Sequence, residues 1–502
     1  MSSNEHQKKH STLQDILTLR KEKIRQLREM GVNPYPYAFD VSHKSADIVE
    51  QFESLENQQV SVAGRIMSVR IMGKASFAHI MDAKGKIQLY LSQRDIGDES
   101  YTVFKMLDIG DFIGVKGVVM KTRTGEVTVK GDNLTLLSKN IRPLPIVKEK
   151  DGVLHDAFSD KELRYRKRYL DLIVNPAVRE VFIQRANIMR WTREFFDARG
   201  YLEVETPVLQ PIYGGASARP FITHHNALDT DFYLRIADEL YLKRLIIGGF
   251  EKVYEIAKNF RNEGMDRTHN PEFTAIEFYE AYVDYEYMMD LVEDYIRTIA
   301  EKSGRLTLKY GDETLDFSRP FARKAMFDLF EESLGQDIRD YDVPELKVLC
   351  KERDVDFDPA WNYGQLIDEL FSEFVEPRLI NPTFVIDYPK AISPLAKTRR
   401  DGNTRFVERF ELYIGGYEYA NAFSELNDPE DQRERLESQA KLRELGDLEA
   451  QVVDEDFLQA VETGMPPTGG VGIGLDRLVM LMTGQTSIKD VILFPAMRPE
   501  NP

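Results

Sequence analysis

The sequence predicts an α+β fold in two main parts, a small β-barrel followed by a larger domain of mixed strands and helices. Three observations lead there. At 502 residues the chain is too long for one compact core. Short alternating segments crowd residues 60–130, each with the period of a half-buried strand. Further on, a strand pair carries charge along one face, and a glycine-rich stretch runs into an apolar helix pattern.

The first element is a helix from Thr12 to Met30, with Leu13, Ile16, Leu17, Ile24 and Leu27 as its apolar stripe. Arg20, Lys21, Lys23, Arg25 and Arg28 make it basic, as a nucleic-acid contact or as a solvated face. Five strand patterns follow: Val60 to Ile66, Ser76 to Ile80, Lys86 to Leu91, Phe112 to Val119 and Glu126 to Lys130. With one helical stretch between the third and fourth, they suit an N-terminal OB-fold β-barrel, which binds single strands by aromatic stacking and edge reading. Phe77 is placed to stack a base or to fill the core, Gln88 to read a base edge, and Arg65 to meet a base or a phosphate.

Residues 138–159, with Pro143, Pro145 and Gly152, read as a linker. The basic stretch from Lys161 to Asp171 is either a nucleic-acid contact or an exposed helix face. A long helix pattern from Val178 leads to Arg199-Gly200-Tyr201-Leu202-Glu203-Val204-Glu205-Thr206-Pro207. The expected divisions are residues 1–57 (helix and lead-in), 58–140 (barrel), 141–175 (hinge) and 176–502, with helices inserted at about 304–380.

The strand pair is the most informative segment. Val253, Glu255, Ala257, Asn259, Arg261 and Glu263 share one strand face, and Phe273, Ala275, Glu277 and Tyr279 share a face of the next. Folded as a hairpin they gather a guanidinium, carboxylates, an aromatic ring and a phenol. Downstream, Gly469-Gly470-Val471-Gly472-Ile473-Gly474-Leu475-Asp476-Arg477 allows a close backbone approach to a ligand and sets Arg477 in the first turn of a helix.

Together these stretches resemble motifs 2 and 3 of the class II aminoacyl-tRNA synthetases, and Arg199 to Pro207 resembles motif 1. Within that class the chain is similar to the bacterial-type lysyl-tRNA synthetases over nearly its whole length. Gly214-Gly215-Ala216-Ser217-Ala218-Arg219-Pro220-Phe221, Glu239-Leu240-Tyr241-Leu242-Lys243, Asn421-Ala422-Phe423-Ser424-Glu425-Leu426-Asn427-Asp428 and Arg164 to Leu172 carry the likeness. Ala420 and Ala422 stand where relatives often have glycine.

The resemblance implies a class II catalytic domain built on an antiparallel sheet flanked by helices, and ligation of L-lysine to tRNA(Lys) through a lysyl-adenylate. It implies ATP as substrate, held by Arg261, Glu263, His269, Asn270, Phe273, Glu411 and Arg477, with Arg261 as the catalytic group. Arg267 in the same loop is expected near the pyrophosphate end. Mg2+ is expected on Glu411 and Glu418. Lysine is expected on Gly215, Glu239, Glu277, Tyr279, Asn421, Phe423 and Glu425, and the anticodon on Arg65, Phe77 and Gln88. Glu418 differs in strand parity from Asn421, Phe423 and Glu425, so facing them requires a bulge near Ala420.

Charge supports a cationic substrate. An aspartate site needs a Lys or Arg facing the side chain, and none stands among these positions. Arginine is left to pocket length. The rivals are an enzyme that lysylates a protein, which has no use for the barrel, and a non-catalytic RNA-binding scaffold, which has no use for Arg261, Glu263, Glu411 and Arg477 together.

The net charge of −18 speaks against nonspecific binding to polyanions but not against a local basic patch. The single cysteine, Cys350, excludes an intramolecular disulfide and suits a reducing cytoplasm. No apolar run is long enough to span a membrane, and the first residues lack a leader's apolar core. Motif 1 implies a homodimer.

Overall fold

The computed structural model describes residues 12–145, 148–150, 153–155, 158–310, 313–444 and 450–500. Gly152 and residues 1–11, read for a linker and for a leader, lie outside these ranges. The chain divides into two compact units between residues 159 and 160.

In the first unit the helix α1 (Leu13–Glu29) starts at Thr12, whose side chain accepts from the Asp15 amide while Asp15 caps the Thr12 amide in return. Its stripe ends in Ile24 and Leu27, both buried. The basic patch is smaller than the sequence implies. Arg20 is buried on Asn140 and the Ile109 carbonyl, and Lys23 reaches Asp108 at 2.8 Å. Lys21, Arg25 and Arg28 remain exposed.

Strands β1 (Gln59–Met72), β2 (Ala75–Met81), β3 (Lys86–Ser92), β4 (Phe112–Lys121) and β5 (Val127–Ser138) close into a barrel in the order β1-β2-β3-β5-β4. Val62, Ile80, Leu89, Val115 and Val129 fill it. Alternation puts Ala78 and Ile80 inside and leaves Phe77 and His79 outside.

The second unit is built on an eight-stranded sheet. Its strands are β6 (Leu202–Glu203), β7 (Lys252–Phe260), β8 (Glu272–Ala281), β9 (Ala322–Ala325), β10 (Thr383–Ile386), β11 (Arg409–Ile414), β12 (Tyr417–Ser424) and β13 (Thr468–Gly474). The order across the sheet is β9-β10-β11-β12-β13-β8-β7-β6. Only the outermost pairs, β9–β10 and β6–β7, are parallel. On one face the helices Pro176–Asp197 and Tyr285–Lys302 cover an aromatic core, with Phe196 and Phe278 ring centroids 4.6 Å apart.

The segment 304–380, read as helices, begins instead with strands. Thr307–Tyr310 pairs with Glu313–Asp316, and Ala322–Ala325 forms the sheet edge β9. Three helices follow, Met326–Leu334, Val343–Glu352 and Tyr363–Phe374, around Leu366, Phe371 and the buried Cys350. The basic stretch at 161–171 turns largely inward. Arg168 is 1% exposed, bound to Asp171 and to the carbonyls of Lys489, Ile492 and Leu493, and Arg164 also holds Asp171.

Candidate active site

On the sheet face away from the aromatic core lies a cavity of about 460 Å³. The strand periods explain its lining. In β8, Ile276 and Phe278 enter the core, while Phe273, Ala275, Glu277 and Tyr279 line the cavity. Glu277 pairs in register with Glu255, and Phe273 with Asn259. Glu255 does not serve the cavity: it accepts from Arg235 at 2.6 Å and from Thr206, so it braces the strand. β7 ends at Phe260, so Arg261 and Glu263 sit in the loop that follows and not on the strand face expected for them.

At the cationic end, Arg261 is held by its amide on the Pro271 carbonyl at 2.9 Å. Its guanidinium carbon lies 5.1 Å from the Phe273 ring centroid, and its buried Nε has no hydrogen-bond partner among the described residues. Arg477 follows Gly474 in the first turn of the helix Leu475–Thr483 and donates to the Glu418 carbonyl. His269 lines the cavity with its Nδ1 2.8 Å from Asp266. That imidazole and the Thr268 and His269 amides hold the Asp266 carboxyl well below its ordinary range, against the effect of burial. Asn270 is committed to structure, donating to the Glu272 carbonyl at 2.6 Å and accepting from the Ala496 amide. Glu263 is exposed at the rim.

The parity conflict at Glu418 is resolved by a bulge. Leu412 pairs with Ala420 but Tyr413 pairs with Glu418, so Tyr419 is the extra residue. Glu418 thereby joins Asn421, Phe423 and Glu425 on the cavity wall. Burial and the neighbouring Glu411 push its carboxyl up to about 7, against the pull of Arg477, Arg409 and Arg261. Glu411 is saturated: Arg409 donates to Oε1 at 2.5 Å, Asn421 donates to the same oxygen, and Tyr388 and Tyr413 each donate to Oε2 at 2.8 Å. Asn421 is therefore tied to Glu411 and Arg409 and not to Arg261. Among the described residues no group of three or more His, Cys, Asp and Glu is arranged as a metal cage.

At the acidic end, Tyr279 donates to Glu277 Oε2 at 3.1 Å. Burial raises the Glu277 carboxyl, as do Asp238 and Glu239 beside it, and Asp238 rises in turn. Buried carboxyls this close share a proton. Burial pushes Glu425 up to about 8 while the Lys243 ammonium pulls it down. Gly215, at φ +85°, leaves room over Glu239; a Cβ there would lie 3.0 Å from Glu239 Cβ. A Cβ on Gly470 would lie 2.1 Å from Glu425 Oε1, so the acid reaches the cavity only over a glycine.

Behind the acid cluster, outside the expected positions and the cavity lining, stands Lys243, fully buried, with Nζ 2.5 Å from Glu239 Oε1 and paired with Glu425 Oε2. It does not make an anion site, because both neighbours are acids. Sequence reasoning also missed Asp238, Arg409, Tyr388 and Tyr413. Arg409 and Tyr413 share strand parity with Glu411, and Lys243 is one helical turn from Glu239, so spacing held a signal for these three that went unused. No local signal marks Asp238 or Tyr388.

In the barrel unit, Phe77 and Tyr90 pair across β2 and β3 with ring centroids 5.2 Å apart, next to the His79–Gln88 pair. Gln88 is buried, donating to Glu126 at 2.6 Å and accepting from Thr128. Arg65 donates to the Gly110 carbonyl and lies over the Phe112 ring.

An antiparallel sheet that presents a guanidinium, a carboxylate pair and a second arginine at a glycine-rich helix start defines a class II tRNA synthetase. Residues 160–498 match the family described as tRNA synthetases class II (D, K and N), and residues 60–137 match the OB-fold nucleic acid binding domain. A lysine–tRNA ligase of Porphyromonas gingivalis is 53% identical over 493 residues, covering 96% of this chain and 85% of that protein. Another, of Azobacteroides pseudotrichonymphae, is 52% identical over 490 residues, covering 96% and 98%. The chain belongs to the lysine–tRNA ligase family of class II synthetases.

Proposed function

We propose that the chain activates L-lysine with ATP and transfers it to tRNA(Lys), releasing diphosphate and then AMP. The observation that carries this reading is the polarity of one cavity, with Arg261 and Arg477 at one end and Glu239, Glu277, Tyr279 and Glu425 at the other. A substrate carboxylate oxygen attacks the α-phosphorus of ATP; the new O–P bond forms as the bond to diphosphate breaks. Two anions meet, so alignment and positive charge matter more than a base. Arg261 bridges the carboxylate and the α-phosphate with its planar fork, using the buried Nε that lacks a partner. Phe273 and Arg477 take the two faces of the adenine, with Glu263, His269 and Asn270 at the loop.

Glu418 would hold a hard divalent cation, since its carboxylate accepts no hydrogen bond from the described residues, and Glu411 would share it by giving up one of its donors, Arg409, Asn421, Tyr388 or Tyr413. Mg2+ bound there supplies charge neutralisation for the triphosphate. Glu239 and the Gly215 backbone receive the α-ammonium, Glu277, Tyr279 and Glu425 receive the side-chain ammonium, and Phe423 lines the stem. The terminal ribose hydroxyl of tRNA then attacks the carbonyl carbon, and AMP leaves. Arg65, Phe77 and Gln88 on the barrel are assigned to the anticodon.

A homodimer in the cytoplasm completes the proposal. Leu202, Leu209, Ile222 and Phe250 are large apolar side chains left exposed near the motif 1 segment. Sedimentation as a monomer at micromolar concentration refutes the dimer. Among the described residues no helix is long and apolar enough to cross a membrane. Pyrophosphate exchange into ATP, run with each amino acid in turn, tests the activity. Exchange with aspartate but not lysine overturns it.

A further inference from the structure

Lys243 touches no part of the cavity, yet it joins the two acids assigned to the two amino groups of the substrate. It lies one turn along the helix Glu239–Ile247 from Glu239, and its Nζ sits 2.5 Å from Glu239 Oε1. The same ammonium pairs with Glu425 Oε2, which stands just beyond the end of β12 on a different element. Lys243 is completely buried.

The remaining oxygens are the informative ones. Glu239 Oε2 turns toward Gly215, 3.7 Å from where a Cβ would be. Neither Glu425 oxygen accepts a hydrogen bond from the described residues; Oε2 is ion-paired with Lys243, and the buried Oε1 faces Gly470 and Tyr279 with no partner of either kind among them. A purely structural ion pair would satisfy both oxygens of each acid, because a buried acceptor left open costs about 1–3 kcal/mol. Here each carboxylate gives one oxygen to Lys243 and keeps the other for the cavity.

We propose that Lys243 is a positioning residue that measures substrate length: by pinning Glu239 and Glu425 to one ammonium, it fixes the separation of the two amino-group sites. The proposal rests on the lysine reading above. A diamino acid whose two ammoniums match that separation bridges both acids, whereas ornithine, one methylene shorter, reaches only one. Losing a methylene in such a site is worth about 10–200-fold in discrimination.

The test is pyrophosphate exchange with lysine and with ornithine, on wild type, Lys243→Arg and Lys243→Met. Lys243→Arg keeps the charge with a longer fork; Lys243→Met keeps the side-chain length and removes the charge. In wild type the kcat/KM ratio of lysine to ornithine is at least tenfold. In both variants the ratio falls at least tenfold, through a higher lysine KM, while the ATP KM is unchanged. A variant with a lower melting temperature and equally reduced rates for both amino acids, its ratio intact, overturns the proposal and leaves Lys243 structural. Equal use of ornithine and lysine by wild type overturns it as well. Absence of lysine-dependent exchange in wild type instead removes the activity reading itself, so the two failures are distinct.

Discussion

Tyr413 pairs with Glu418 across β11 and β12 although its neighbour Leu412 pairs with Ala420, so one residue, Tyr419, turns the carboxylate of Glu418 into the cavity. A regular strand would point that acid away from Asn421 and Phe423. Glu418→Gln keeps the bulge and the fold but removes the charge that the bulge aims into the cavity. The expected outcome is a folded protein whose exchange requires several-fold more Mg2+, with lysine KM little changed. Titrating Mg2+ against exchange rate checks it, and an unaltered Mg2+ requirement refutes the role of the bulge.

In the proposed reaction Arg261 bridges both reacting anions. Its Nε is buried without a partner and its guanidinium is backed by Phe273, so the fork is already oriented. Arg261→Ala should lower the exchange rate by about 10²–10³-fold or more, the usual cost of removing a preorganised charge from a transition state. Calorimetric ATP binding should weaken far less. Full retention of exchange removes Arg261 from the mechanism.

Much of this site was legible because strand parity does half the work. Phe273, Glu277 and Tyr279 fall on one face by period alone, and the core residues Ile276 and Phe278 fall on the other. Hydrophobic alternation likewise gave the five barrel strands, and the apolar stripe through Ile24 and Leu27 gave the first helix. What stayed hidden depends on side chains meeting across elements. Glu255 has the right parity but is taken by Arg235 from another segment. Arg168 and Arg20 carry exposed-looking charge yet are buried on backbone carbonyls or polar side chains that no local pattern announces. The extra residue at Tyr419 needed the register of the partner strand before it became visible.

The acid cluster makes lysine binding depend on pH. Burial raises Asp238 to about 6 and Glu425 to about 8, and burial with the neighbouring Asp238 and Glu239 raises Glu277 well above the ordinary carboxyl range. Each acid therefore keeps a proton in the folded free protein at a pH where the unfolded chain has lost it. Stability from these groups is complete in acid and is lost as pH rises through the folded values, so the free protein's melting temperature should fall from about pH 6 to about pH 8. Bound lysine places an ammonium among the acids and favours their ionised forms, so binding should expel protons and grow tighter across the same window. Calorimetry at about pH 7 in buffers of different ionisation enthalpy measures the release. A heat independent of the buffer contradicts the shared proton.

Gly470 is required by the geometry and not by backbone conformation. A Cβ there would sit 2.1 Å from Glu425 Oε1 and 2.3 Å from Tyr279 Cε1, inside the contact distance of both. In Gly470→Ala either the acid or the phenol must move, and both are assigned to the substrate ammonium. Overpacking of this kind costs about 1–3 kcal/mol, and displacement of either group costs lysine about tenfold or more in affinity. Phe273 and Arg477, assigned to the adenine, lie at the other end of the cavity, so ATP affinity should hold. Separate titrations of lysine and ATP decide the matter: parallel losses for both ligands would mean that the sheet, and not the ammonium site, had been disturbed.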